Sequence, residues 1–196
     1  MLLNMAATES QMLALGTEAT GFTLPDPDGR QHSLDGDENC DAYLVMFICN
    51  HCPFVIHVAA ELARIGHDYG SRNVAIYAIN SNDARTHPGD SPDAMTGEIA
   101  DRGYTFPYLI DEDQAVAKAY RAACTPDFYV FDSERKLVYR GQLDSSRPSN
   151  GIPVTGNDLR AALDAQLTAT AVAEDQVPSI GCNIKWKPGN EPDWLA

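Results

Sequence analysis

Apolar runs and helical periodicity along the chain predict alternating strands and helices. Residues 43–48 and 74–79 are each an unbroken apolar run, which is typical of strands covered on both faces. Between them, residues 53–69 place apolar side chains on one helical face, and Gly70 stands where a helix would end. Strand, helix and strand in this order predict a βαβ unit with a right-handed crossover.

Shorter elements lie on both sides of this unit. In chain order they are a hairpin over 22–34, a helix over 92–102, a short helix that Asp111 caps and that ends at Tyr120, antiparallel strands at 128–131 and 136–139, and a helix marked by Leu159, Leu163 and Leu167. This order predicts the α/β class, with a mixed central sheet flanked by helices on both faces.

The chain divides into one domain with two additions. Residues 1–17 form an N-terminal extension and residues 18–173 the domain. The tail, residues 174–196, contains three prolines and two tryptophans. We expect the tail to be extended and packed on the domain, because free tails rarely carry residues such as Trp186 and Trp194.

Charge and cysteine content narrow the class of protein. With 14 Lys+Arg against 28 Asp+Glu, the net charge of -14 argues against nucleic-acid and anionic-membrane partners and favours partners with basic patches. No apolar run approaches the ~18 residues of a membrane span, and the first sixteen residues lack a secretion-signal pattern. An odd count of five cysteines disfavours a disulfide framework. We therefore expect a cytoplasmic protein.

The residues that carry chemistry lie between the first long strand and the helix after it. Cys49 and Cys52 flank His51 in the segment Cys-Asn-His-Cys. This spacing in a βαβ unit is typical of redox chemistry. We expect Cys49 at the helix N-terminus, where free N–H groups and the helix dipole lower a thiol pKa, and Cys52 one turn further in and more buried. A cationic His51 would lower the pKa of Cys49 further.

Two other interpretations of the cysteine pair stay open. Buried core cysteines are common in proteins. Cysteines also bind metals, although a zinc site takes four ligands and the chain has no second Cys-x-x-Cys and no paired histidines.

A proline before the third apolar strand supplies a second candidate feature. Pro126 either begins a strand or follows a cis bond from Thr125. In the cis case, backbone groups near the cysteines would point outward, and an extended substrate would pair with them as an added strand. An ordinary turn proline is the alternative.

Three segments together make the chain similar to a known group of proteins. They are Phe-Ile-Cys-Asn-His-Cys-Pro-Phe-Val at 47–55, Ser-Ile-Gly-Cys-Asn-Ile-Lys-Trp at 179–186 and Pro-Gly-Asn-Glu-Pro at 188–192. From about residue 18 onward, the chain resembles the thioredoxin-fold superfamily in its AhpC/TSA and TlpA-like branch. Within that branch it is similar to thiol-disulfide isomerase/thioredoxin-like and peroxiredoxin-like proteins.

The resemblance implies a thioredoxin-like fold with an N-terminal hairpin, a helical insertion and an extended C-terminal tail. It makes Cys49 the attacking thiol, Cys52 the resolving thiol, and Thr125 with a cis Pro126 the substrate-binding segment. Ile48 stands where thioredoxins carry a tryptophan, and residues 43–48 offer no evident buried carboxylate behind the pair.

The predicted function is thiol–disulfide exchange with protein or small-molecule disulfides, in antioxidant defence and redox homeostasis. It needs a separate thiol reductant but no organic cofactor and no metal. The alternatives are a peroxiredoxin-like thiol peroxidase and a metal-binding protein that uses the same cysteines. The peroxidase pattern Pro-x-x-x-Thr-x-x-Cys fits in part, since Val45 and Cys49 stand at its proline and threonine places. Arg140 is the candidate cation of such a site.

The other cysteines and histidines are weaker candidates. Cys182 is a third redox thiol if the tail folds over the site, and a spectator otherwise. Cys40 lies among acidic residues, which raise a thiol pKa, and Cys124 packs under the pair. We expect the remaining histidines at the surface, namely His32, His57, His67 and His87.

Overall fold

The computed structural model describes residues 7–37 and 39–195, and it contains the long elements that the apolar pattern predicts. The strands are β1 Ala7–Glu9, β2 Thr23–Pro25, β3 Gln31–Ser33, β4 Ala42–Phe47, β5 Val74–Asn80, β6 Tyr108–Ile110, β7 Cys124–Thr125, β8 Asp127–Asp132, β9 Leu137–Gly141 and β10 Ile180–Asn183. The helices are α1 Pro53–Tyr69, α2 Pro92–Arg102, α3 Ala115–Ala119 and α4 Asn157–Leu167.

A five-stranded mixed sheet in the order β6-β5-β4-β8-β9 forms the centre of the molecule. Strand β4 runs parallel to β5 and antiparallel to β8. Every residue of β4 and β5 is buried, because one hydrophobic cluster lies on each face of the sheet. The predicted α/β class is thus confirmed, and so is the antiparallel pairing of β8 with β9.

The register of the central sheet positions the candidate residues. Phe47, the last residue of β4, lies opposite Asp127, the first residue of β8. The segment that follows β4 therefore meets the segment that precedes β8. This pairing brings the Cys-Asn-His-Cys segment beside Thr125 and Pro126, although more than seventy residues separate them along the chain.

A second, three-stranded sheet joins the start of the described chain to its C-terminal tail. Its order is β1-β10-β7, with both pairings antiparallel. Residues 7–9 of the predicted extension thus form a strand, and residues 1–6 lie outside the described residues. The tail packs on the body through β10, and its Trp186 and Trp194 rings meet edge to face at 6.3 Å.

The short helix before β7 differs from the expectation. It spans Ala115–Ala119, and Gln114 in the left-handed conformation (φ 62°) precedes it. The N-cap position of this helix is therefore occupied by Gln114 and not by Asp111. Its buried carboxylate instead accepts the backbone N–H groups of Val116 and Ala117 from outside the helix.

A buried ion pair between α1 and α4 is the second difference between the structure and the expectation from the sequence. Periodicity places Glu61 on the solvent face of α1, but only 2% of its surface is exposed. Its carboxylate contacts Arg64 on the same helix at 2.5 Å and Arg160 of α4 at 2.6 Å. Two guanidinium groups therefore compensate a carboxylate that burial would otherwise destabilise.

We predict that Arg160→Met lowers the free energy of unfolding by about 2 kcal/mol, because Glu61 then keeps one cationic partner in place of two. The matched control is Arg72→Met. Arg72 also contacts α4, through Asp164 at 3.2 Å, but both partners are about half exposed. Its loss should cost less than about 1 kcal/mol in denaturant unfolding. Equal effects of the two substitutions would contradict a structural role for the buried pair.

Candidate functional site

Pro53 determines where helix α1 begins and which cysteine stands at its N-terminus. Proline has no N–H to donate and holds the residue before it in an extended conformation, as found for Cys52 (φ -71°, ψ 122°). Cys52 is therefore the N-cap residue, and Cys49 lies in the loop before the helix. The expectation that Cys49 stands at the N-terminus with Cys52 one turn further in is wrong.

Three thiols meet at this position. The Sγ of Cys52 lies 2.9 Å from the Sγ of Cys182 and 3.1 Å from the carbonyl oxygen of Thr125. The Sγ of Cys49 lies 3.4 Å from the hydroxyl of Thr125. All three are unbridged thiols, and the exposed fraction is 1% for Cys49, 0% for Cys52 and 2% for Cys182. Cys49 is thus as buried as Cys52, contrary to expectation.

The surroundings make Cys52 the most acidic of the three thiols. Its pKa is lowered chiefly by the neighbouring thiol of Cys182 at 2.9 Å, then by the thiol of Cys49, and further by the backbone N–H of Val55 in the first turn of α1. The carbonyl oxygen of Thr125, to which the Cys52 thiol donates at 3.1 Å, favours the thiol form and opposes this shift. The expected order of acidity is therefore reversed.

The two neighbouring thiols are held in the protonated form. The pKa of Cys49 is raised by its hydrogen bond to Cys52, by burial and by the negative charge of Asp90. The pKa of Cys182 is raised by its hydrogen bond to Cys52 and by burial. When one of the three thiols loses its proton, these shifts favour the negative charge on Cys52 over either neighbour.

His51 is bound to a carboxylate that the sequence analysis did not identify. Its Nδ1 lies 2.7 Å from Oδ2 of Asp90, whose side chain is fully buried. This close contact with the Asp90 carboxylate raises the pKa of His51 and so favours the cation. His87, expected at the surface, stacks on His51 with ring centroids 5.2 Å apart. Nothing in the local sequence pattern indicates Asp90, because it comes from a loop forty residues further on.

One group of side chains in this site has the composition of a metal site. The sulfur of Cys49, a ring nitrogen of His51 and a carboxylate oxygen of Asp90 lie within 4.8 Å of one another. They are one donor short of the four ligands of a structural zinc site. This trio differs from the Cys49 and Cys52 ligands that the metal alternative assumed.

The segment before Pro126 has a cis Thr125–Pro126 bond, but its pairing edge is occupied. Strand β10 lies there, with Cys182 opposite Thr125 and Asn183 opposite Cys124. A substrate strand therefore does not find this edge free, contrary to the expectation from the sequence. The tail itself supplies the added strand.

A buried carboxylate follows directly after this proline. Asp127 is 0% exposed, its Oδ2 accepts the hydroxyl of Tyr129 at 2.8 Å, and its Oδ1 has no partner among the described residues. Burial raises its pKa to about 7. Strand β4, which precedes the cysteines, has no buried carboxylate. The carboxylate comes instead from Asp127, the first residue of β8. An acidic residue at the start of an otherwise apolar strand was the available signal.

The remaining candidates take no part in the cluster. Arg140 donates to the carbonyl of Leu13 at 2.8 Å and to Gln176 at 2.6 Å, so it is not the cation of a thiolate site. The pKa of Cys40 is raised by burial and by Asp37. Cys124 is buried, and its thiol faces the carbonyl oxygen of Pro126 at 3.8 Å.

Comparison with known proteins assigns the fold and the family of this chain. Residues 15–140 match the AhpC/TSA family, and the chain belongs to that family. A thioredoxin domain of a thiol-disulfide oxidoreductase from Bacteroides vulgatus superposes with a TM-score of 0.56 at 19% identity. The match covers 66% of this chain and 89% of that one. The thioredoxin-like fold implied by the sequence resemblance is confirmed.

Two more similar relatives extend over nearly the whole chain, and a third matches two thirds of it. An uncharacterized conserved protein from Geobacillus kaustophilus is 57% identical, with a TM-score of 0.92 over 95% of this chain and 99% of that one. A hypothetical protein from Sinorhizobium meliloti is 51% identical, with a TM-score of 0.90 over 92% and 98%. Thiol-disulfide oxidoreductase ResA from Geobacillus thermodenitrificans is 29% identical over 66% of this chain and 70% of its own length. Within residues 7–37 and 39–195, none of the helices is both long and apolar enough to span a bilayer.

We predict that Asp127→Asn stabilises the protein in a pH-dependent way. Its folded pKa of about 7 exceeds the ordinary 3.8, so the folded state retains a proton that the unfolded state loses. Unfolding free energy therefore falls as pH rises from about 4 to 7. The variant should gain up to about 4 kcal/mol at pH 8 and little at pH 4.

Chemical unfolding at several pH values measures this gain. Asp101→Asn, at an exposed position of α2, is the control for the same substitution at a surface site. A gain that stays constant from pH 4 to pH 8 would contradict the assigned titration.

Proposed function

We propose that this protein is a thiol–disulfide oxidoreductase whose Cys49 and Cys52 alternate between dithiol and disulfide. The observation that carries the proposal is the placement of the two cysteines. Cys52, whose pKa is lowered, caps helix α1, and Cys49 lies three residues before it, with both sulfurs in contact with Thr125. Thiolate character and a neighbouring thiol are the two requirements of disulfide exchange.

We propose the following sequence of steps. Cys49 attacks a sulfur of the substrate disulfide, and the S–S bond of the substrate breaks. The proton of Cys49 passes to the departing substrate sulfur, and the other substrate sulfur is joined to Cys49. The Cys52 thiolate then attacks the Cys49 sulfur, and the second substrate sulfur leaves as a thiolate. The protein is left with a 49–52 disulfide, having passed two electrons to the substrate.

His51, Thr125 and Pro126 act as positioning groups in this proposal. The cationic His51, held by Asp90, stabilises negative charge on Cys49 as it attacks. The Thr125 hydroxyl at 3.4 Å orients the same sulfur, and Pro126 follows in the segment that faces the pair. Because 31% of the His51 side chain is exposed, we propose that substrates approach Cys49 from the side of this residue.

The partners proposed for this cycle are a disulfide-bearing protein or small molecule and a separate thiol reductant. The names of the curated ResA relatives support disulfide exchange as the type of reaction. The net charge of -14 favours partners with basic surfaces. The chemistry uses the protein's own sulfurs, so no organic cofactor enters the proposal. The cytoplasmic location expected from the sequence stays a prediction.

A thiol peroxidase is the second candidate, and the position of Cys52 favours it. A thiolate at a helix N-cap in a member of the AhpC/TSA family is placed to attack peroxide. The place of the peroxidase threonine is occupied by Cys49, however, and Arg140 is bound elsewhere. If Cys52→Ser abolishes peroxide consumption and Cys49→Ser does not, the protein is a thiol peroxidase. Stoichiometric zinc in reduced protein would decide for the metal-binding alternative.

We expect a reversible two-electron transition when the full-length protein is equilibrated in a series of glutathione buffers. Both Cys49→Ser and Cys52→Ser should abolish the 49–52 disulfide and the reduction of a disulfide substrate by at least roughly a hundredfold, since either sulfur is indispensable for the bridge.

Cys124→Ser is the matched control, because Cys124 is equally buried beside the site but contacts a carbonyl oxygen. This variant should titrate like the wild type. Disulfide reduction that persists in Cys49→Ser and Cys52→Ser alike would refute the proposed function.

A further inference from the structure

Cys182 is held in place from both ends of its strand. Before it, Ser10 and Ser179 exchange two hydrogen bonds of 3.0 Å, and the Ser179 hydroxyl donates to the Gly141 carbonyl. After it, the Ile184 N–H donates to the Ala123 carbonyl at 3.1 Å. The contact between Cys182 and Cys52 thus belongs to a paired strand and is not an incidental approach of a loose tail.

The residue before Cys182 shows how close this approach is. Gly181 packs directly on the backbone of β7, and a Cβ at this position would collide with the carbonyl oxygen of Thr125. Glycine therefore lets β10 lie close enough for the next side chain, Cys182, to reach Cys52. Opposite Thr125, Cys182 occupies the register position that a cysteine of an added substrate strand would take.

The central sulfur of the cluster has two possible bonding partners. Cys52 lies 2.9 Å from Cys182, and its other redox partner, Cys49, lies three residues before it with its sulfur on the hydroxyl of Thr125. A disulfide requires about 2.05 Å between sulfurs, so a movement of about 1 Å would close the second bond. Cys52 can bond to only one of these sulfurs at a time, so the two bridges exclude each other.

We propose that Cys182 is a third redox-active thiol, which exchanges with the 49–52 disulfide to form a 52–182 disulfide. This inference rests on the proposed function, because the 49–52 bridge supplies the oxidising equivalents. The Cys182 sulfur attacks Cys52, the 49–52 bond breaks, and the 52–182 bond forms. Cys49 leaves as a thiolate and takes up the proton that Cys182 loses. The exchange is an isomerisation and needs no further oxidant.

The exchange has a functional consequence for the site. It moves the disulfide away from the substrate-facing side and returns Cys49 to the thiol form while the protein stays oxidised. The oxidised protein therefore has two states, one with Cys49 bonded and one with Cys49 free to be joined to a second sulfur compound.

Disulfide mapping of three full-length variants tests the inference. The proteins are equilibrated with oxidised and reduced glutathione, quenched with acid, alkylated and mapped by mass spectrometry. Cys49→Ser should form the 52–182 bridge and so lose the alkyl label at both cysteines. Cys182→Ser should form only the 49–52 bridge. Cys124→Ser, with its thiol in the same sheet, should give the wild-type distribution.

The outcomes separate this inference from the proposed function. A 49–52 bridge in Cys182→Ser, with Cys182 fully alkylated throughout the series in Cys49→Ser, overturns the inference and leaves the function standing. A 52–182 bridge in Cys49→Ser without a 49–52 bridge in Cys182→Ser overturns the proposed function and the exchange step together, and leaves Cys52 and Cys182 as the redox pair. If Cys49→Ser does not fold, the wild type decides by the presence or absence of the 52–182 peptide pair.

Discussion

The antiparallel register between β4 and β8 is the constraint on which the site depends. It places the end of β4 against the start of β8, so that the cysteine segment and the Thr125–Pro126 segment converge at one edge of the sheet. The short strand β7 then offers its backbone to β10, and Cys182 arrives opposite Thr125. A slip of this register by one residue would turn each of these side chains to the other face.

The electrostatics of the site follow from its burial. A thiolate in an apolar cluster is costly unless donors surround it, and Cys52 receives them from α1 and from two thiols. Asp90 adds a second buried negative charge nearby, which raises the pKa of Cys49. The same carboxylate also favours the cationic form of His51. Asp90 thus keeps the proton on Cys49 and provides the cation that will face this sulfur once it becomes an anion.

The sequence predicts the parts of this structure that depend on local pattern. The buried strands, α1 and α2 follow from apolar runs and periodicity, because each buries a continuous stretch or one face. The N-cap position of Cys52 was also predictable, since proline favours the first turn of a helix. Assigning Cys49 to that position overlooked the effect of Pro53.

Contacts between distant segments were beyond this kind of inference. Cys182 and Cys52 are separated by 130 positions, and a four-residue strand in a proline-containing tail gives no periodic signal. Glu61 was misplaced for a similar reason. Helical periodicity identifies the apolar face of α1, but it does not show that Arg160 arrives from α4 to compensate a carboxylate on the other face.

Strand β10 and the Asn50–His51 loop enclose the sulfurs and are held by different kinds of contact. This difference determines which of the two can move to expose the buried site. Strand β10 is held by backbone pairing on both sides, to β1 and to β7. The Asn50–His51 loop is held mainly by side chains, with Asp90 accepting the Asn50 N–H at 2.8 Å and pairing with His51. Displacing β10 would break two ladders, whereas displacing the loop breaks the contacts of Asn50 and His51 with Asp90 and the two hydrogen bonds of the Asn50 side chain, to the Gly89 carbonyl and the Tyr108 hydroxyl. Access to Cys49 is therefore less costly on the loop side, and Cys182 remains in place behind Cys52 while substrates exchange in front of it.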